Sequence, residues 1–253
     1  MGKYILLFEA IKSCNIKSML KRIARFCIGL LLIPVCVVMT QTAAALMHSI
    51  PVVSDSIVPL PLRWLAGGFA IWVLVYFILP APVRTYVLAH ELTHALWGAM
   101  MGARVSNLKV AKESGSVTLS KTNFLITLAP YFFPFYTMLI IAAYYITGIF
   151  VDVEKYYLYW LGLVGFTWGF HFTFTIRSLL QKQTDIKEYG YLFSYTVIFI
   201  FNVLCLILWI VLISSATLMQ FLELFRDYSI AVSQVIWSWS RTMAEIIYNK
   251  FTS

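Results

Sequence analysis

One stretch of the chain gathers the groups best able to do chemistry: Tyr86-Val87-Leu88-Ala89-His90-Glu91-Leu92-Thr93-His94-Ala95-Leu96-Trp97. On a helix, His90 and His94 fall one turn apart on the same face, so both imidazoles can reach one metal ion. Glu91 is turned about 100° from His90, near enough to meet a water on that ion without ligating it. Zn2+ suits such a set, because it lowers the pKa of a bound water. A glutamate can then take the proton as the water attacks a peptide carbonyl. The plainer alternative is a helix with two hydrogen-bonded histidines and a structural glutamate.

A hydrolytic zinc site needs a third protein ligand and one open position. Asp185, in Gln181-Lys182-Gln183-Thr184-Asp185-Ile186, precedes the last apolar run, where a helix terminus can aim it at the site. Its ordinary role there would be a helix cap. His171, in Gly169-Phe170-His171-Phe172, lies deep in an apolar segment and would also ligate well. Otherwise it is a histidine hydrogen-bonded to a neighbouring helix. Glu188 is a third candidate, more naturally read as solvated. By residue type alone, Asp185 and His171 rank nearly equal.

The elements that must position these groups belong to a membrane protein. Of 253 residues 61% are hydrophobic and only 12% charged, with a mean hydropathy of +0.83. A soluble domain carries about a quarter charged residues. The apolar surface exceeds what one water-soluble core of this length needs, and lipid is its natural solvent. The net charge of +8 is scattered among loops and the N-terminal segment, which fits membrane orientation and anionic headgroups and argues against nucleic acid as a partner. Cys14, Cys27, Cys36 and Cys205 form no CxxC pair and read as packing residues.

A helix needs about 20 mainly apolar residues to cross the hydrocarbon core. Residues 26–47, 124–150, 156–176 and 191–216 qualify, and 64–79 is a shorter span framed by Trp64 and Pro80-Ala81-Pro82. Residues 83–101 make a sixth, less apolar helical stretch that carries the motif. Pro130 and Pro134 are expected to kink the long fourth segment. The fold class is thus an all-α polytopic membrane protein of about six transmembrane or re-entrant helices. Among the 30 Lys, Arg, Asp and Glu residues, Glu91 stands out as the one in mid-segment. An ionisable residue at membrane depth costs at least ~2.5 kcal/mol, so it marks a functional site.

Three regions follow. Residues 1–25 hold Lys3, Lys12, Lys17, Lys21, Arg22 and Arg25 against Glu9, interleaved with Ile5, Phe8, Ile16, Leu20 and Ile23, which suggests a basic amphipathic helix on a membrane surface. The rival is a cleavable signal peptide ending near Ala43 and Ala45, but its basic region would be unusually long. Residues 26–216 form the membrane-embedded domain. In 217–253, Phe221, Phe225, Tyr228, Val232, Val235, Trp239, Met243 and Ile246 recur at steps of three and four. That stripe indicates an amphipathic helix packing within the protein, on the bilayer, or on a second copy or accessory subunit.

The order of these features resembles the site-2 protease family of intramembrane zinc metalloproteases. The HExxH segment is followed by Gly102-Ala103-Arg104-Val105, then by a polar stretch over 104–122 that includes Gly115-Ser116-Val117-Thr118-Leu119, then by Leu128-Ala129-Pro130, similar to an Ala-Gly-Pro at the start of the family's next span. The likeness covers residues 83–215. It implies a small β-hairpin-like insertion after the HExxH helix that can hold substrate extended, and a later aspartate as third zinc ligand, which by position is Asp185. Where the family has an Asp-Gly pair, this chain has Asp185-Ile186. His171 would then be free to donate a hydrogen bond to a developing oxyanion.

The loops 104–121 and 177–188 are basic, as is the N-terminus, and the positive-inside rule draws all three to the cytoplasm. Six full spans would place an odd number of crossings between residues 25 and 104, so 83–101 is read as partly re-entrant, with the site near the cytoplasmic face. The expected location is a bacterial or archaeal cytoplasmic membrane. The expected function is a zinc-dependent intramembrane endopeptidase that cleaves a membrane-spanning or membrane-associated protein. A related enzyme reading is a membrane zincin with a glutamate ligand. The non-enzyme reading is a transporter or assembly factor using the His/Glu site for metal or protons.

Overall fold

The computed structural model describes residues 2–49, 60–112 and 114–252, with side chains for residue 16 and from residue 18 onward within these. About 80% of the chain is helical, as an all-α membrane protein requires. Two compact units emerge, one from Val52–Ser194 and one from Met1–Pro51 with Tyr195–Ser253.

The first of these units carries the motif. It opens with α2 (Leu60–Ile78) and α3 (Val83–Met100), separated by the Pro80-Ala81-Pro82 stop. The expected insertion follows as an antiparallel hairpin of β1 (Val105–Val110) and β2 (Gly115–Leu119), paired from Val105–Leu119 to Val110–Gly115 with an irregularity between Ser106 and Lys109. Next come α4 (Phe124–Leu128), a 3-10 turn over Ala129–Tyr131 and α5 (Phe135–Gly148). Asn123 caps α4 by accepting the amide of Ile126. α4 with its turn meets α5 at 83°, so the kink expected at Pro130 and Pro134 is a full break. α6 (Tyr157–Leu179) and the short α7 (Thr184–Tyr189) complete the unit, before α8 (Tyr191–Ile213) begins.

α2 and α6 form its most intimate helix pair. A β-carbon on Gly68 would collide with the backbone carbonyl of Gly162, and one on Gly165 with that of Leu65. Small residues let the two backbones touch, which is how helices gain van der Waals contact where lipid offers no hydrophobic drive. Trp72, Phe170 and Phe174 pack at the end of this seam nearer the motif, and Trp72 Nε1 donates to Thr173 Oγ1 at 2.9 Å.

In the other unit, α1 (Gly2–His48) is one continuous helix that takes in both the basic segment and the first expected span. Much of the expected amphipathic face, Ile5 and Phe8 included, falls on residues 1–15, whose side chains lie outside the described ones. Met39, Ala43 and Leu46 of α1 bury against Ile207 and Ile210 of α8 and Phe221 of α9 (Leu218–Thr252).

Three helices among the described residues are long and apolar enough to cross a membrane: Ser18–His48, Leu60–Ile78 and Tyr191–Ile213. The bent α4–α5 pair makes a fourth if it counts as one span. The six-span reading is therefore met only in part. α3 carries Arg84, His90, Glu91 and His94, and α6 is rich in aromatic, glycine and threonine residues, so both are less apolar than the helices that qualify.

Candidate metal centre

The helical spacing of α3 brings His90 and His94 onto one face, with their Nε2 atoms 3.2 Å apart. The third group arrives from α7. Asp185 Oδ2 lies 3.3 Å from His90 Nε2 and 3.5 Å from His94 Nε2. Three donor atoms from two distant segments thus form a nearly equilateral triangle, the one such group of potential metal ligands among the described residues. Of the candidate third residues, Asp185 joins the histidines and His171 and Glu188 do not.

Each member of the triangle has a further hydrogen-bonding neighbour. His94 Nδ1 lies 2.9 Å from the carbonyl of Ile126, an acceptor only, so Nδ1 carries the proton and Nε2 presents its lone pair. His90 Nδ1 lies 3.4 Å from the Tyr86 hydroxyl, which is 2.7 Å from Ser178 Oγ on α6. Tyr86 also stacks on Phe174, with ring centroids 4.8 Å apart, fixing α3 against α6. Tyr131, fully buried in the 3-10 turn, donates its hydroxyl to Asp185 Oδ2 at 3.0 Å. Outer hydrogen bonds of this kind set the tautomer and aim of metal-binding side chains.

The donor set fits Zn2+. A tetrahedral ion with bonds of 2.0–2.2 Å holds its ligand atoms about 3.3 Å apart, close to all three edges of the triangle. Imidazole and carboxylate are also ordinary zinc ligands. Electrostatics point the same way, because converging lone pairs and a carboxylate oxygen repel unless a proton or a cation lies among them. Burial pushes the Asp185 carboxyl up, but hydrogen bonding with His90 and His94 outweighs it and holds the group below the usual carboxylate range.

No protein-family model, curated protein or solved structure matches this chain. The site must therefore be read from its own chemistry.

Around the triangle lies a cavity of about 750 Å3, whose lining includes His90, Glu91, His94, Asp185 and Glu188, with Ser114–Val117 of the hairpin, Arg177 in the last turn of α6, and Gln181 and Gln183 just after that helix. Glu91 is 8% exposed and lines the cavity without being one of the three. His171 is equally buried, but it lines a separate cavity of about 10 Å3 shared with Tyr86, His90 and Tyr136, and its Nε2 has no hydrogen-bond partner.

Sequence reasoning passed over Tyr131 and the role of Gly115. Tyr131 follows the Leu128-Ala129-Pro130 element, and its neighbourhood was the available signal. Gly115 was read only as part of an alternating polar stretch, whereas it lies directly against Glu91.

Proposed function

We propose that this chain is a zinc-dependent intramembrane endopeptidase, with His90, His94 and Asp185 holding the ion and Glu91 acting as general base. The observation that carries this reading is the triangle of donor atoms with edges of 3.2, 3.3 and 3.5 Å. Zinc, when bound, supplies a Lewis acid that acidifies water and polarises a peptide carbonyl.

The remaining steps fall to the chain. Glu91, adjacent to His90 but outside the triangle, accepts a proton from water in the cavity and later passes it to the departing amine. The hairpin lies along the same cavity and offers β2 as a surface for an extended peptide. A helical substrate hides its carbonyls, so unwinding must precede cleavage. Helices able to cross a membrane, in the same chain as the site, suit a substrate that is itself membrane-spanning or membrane-associated.

Metal content and proteolysis test the proposal together. Detergent-purified wild type and Glu91→Gln should each hold about one zinc per chain, while His90→Ala, His94→Ala and Asp185→Ala lose it and His171→Ala keeps it. Wild type alone among wild type, Glu91→Gln and His90→Ala should process reconstituted transmembrane peptides. Full zinc in His90→Ala, or cleavage surviving Glu91→Gln, would falsify the proposal.

A further inference from the structure

Among the residues lining the 750 Å3 cavity, Arg177 is the one arginine or lysine. It sits in the last turn of α6 and is half-buried. A basic residue at a helix C-terminus often serves the helix itself, by bonding the last carbonyls or answering the dipole. Among the described residues Arg177 donates to no carbonyl, and no carboxylate stands within ion-pair distance of it.

Three acids line the cavity, Glu91, Asp185 and Glu188, and none of them forms an ion pair with Arg177. Asp185 is committed to His90, His94 and Tyr131, and Glu91 packs beneath Gly115. A guanidinium carries five donors in a rigid fork that suits a carboxylate. Here that fork lies in the wall of the cavity that holds the donor triangle, with no carboxylate paired to it among the described residues and with Gln181 and Gln183 close by in sequence and in the same lining.

We infer that Arg177 is a specificity-determining residue that recognises an anionic group, a side-chain or terminal carboxylate, on the peptide the cavity receives. This rests on the peptidase reading for what enters the cavity, but the anion preference is a binding property and can be measured without turnover. A carboxylate on Arg177 would fix the position of the chain relative to the triangle, so that one bond is presented rather than many. It would also favour a peptide emerging from the bilayer, because an acidic residue beside an apolar segment marks where that segment ends.

The test uses full-length Glu91→Gln protein in detergent, so that bound peptide persists. The probes are leucine–alanine peptide amides with one Asp moved along the sequence, the matching Asn series, and the all-apolar peptide with a free C-terminal carboxylate. With Arg177 present, Asp at one position, or the free carboxylate, should bind roughly tenfold more tightly than its neutral partner, as a charge-assisted bond allows. The arm that gains identifies the source of the carboxylate. The advantage should persist largely in Arg177→Lys, vanish in Arg177→Gln and reverse toward a lysine-containing peptide in Arg177→Glu.

Equal affinity of the Asp and Asn series at every position with no gain from the free carboxylate, an advantage that survives Arg177→Glu, or failure of every peptide to bind each overturns the inference. Failure of the peptidase reading looks different. The preferred peptide would then bind with the Arg177-dependent preference, yet wild-type protein would leave it intact.

Discussion

Gly115 and Glu91 are in such close contact that a β-carbon on Gly115 would stand 2.5 Å from Glu91 Cγ and 2.7 Å from Oε1. The same atom would come within 2.8 Å of Val87 Cγ1, so the glutamate cannot simply rotate toward that neighbour. The first residue of β2 is therefore what sets the height of Glu91 in the cavity. Gly115→Ala should leave zinc content near wild type and lower cleavage by about tenfold or more, since small displacements of a proton acceptor are costly. Metal analysis alongside turnover separates this outcome from general misfolding, and unchanged turnover would sink the positional role.

Tyr131 supports the metal centre with its hydroxyl, which donates to Asp185 Oδ2 at 3.0 Å. Tyr131→Phe keeps the ring that meets His90 edge-on and deletes only the donor. Zinc affinity, measured by chelator competition, should fall about 10–100-fold, the usual scale for such outer-shell losses. An unchanged affinity would mean that Asp185 is aimed by its backbone alone.

Legibility followed the range of the contacts. His90, Glu91 and His94 could be read directly, because helical geometry within five consecutive residues fixes their relation. The break after α4 was also readable, since Pro130 and Pro134 act locally. Asp185 was different. Ninety-five positions separate it from His90, and residue type alone ranked it with His171, which the fold puts in another cavity. Nothing in the sequence says that Tyr131 reaches Asp185 or that Gly115 reaches Glu91, because both contacts depend on how separate elements pack. The span count is met only in part for a related reason. α3 and α6 have helical lengths suited to a bilayer, but their polar or aromatic composition reflects the site and the seam they build.

The α2–α6 seam makes a stability prediction independent of catalysis. Gly68→Ala or Gly165→Ala forces a methyl against main-chain atoms of the opposing helix, where no side chain can move aside. Each should destabilise the unit that holds the site by about 1–3 kcal/mol, the usual range for overpacking, read as a lower thermal midpoint in detergent. Gly67→Ala, where an added β-carbon meets nothing within 4 Å, is the matched control and should leave the midpoint nearly unchanged.

The contact between His94 Nδ1 and the Ile126 carbonyl has a cause four residues along the chain. In a regular helix that carbonyl would accept the amide of residue 130, but residue 130 is proline and has no amide hydrogen. The break after α4 therefore leaves an acceptor vacant, and the imidazole takes it. Pro130→Ala would introduce a rival donor for the same oxygen, loosening His94 and weakening zinc retention, with α3 itself untouched. The aim of one candidate ligand is thus set by a hydrogen that the chain does not have.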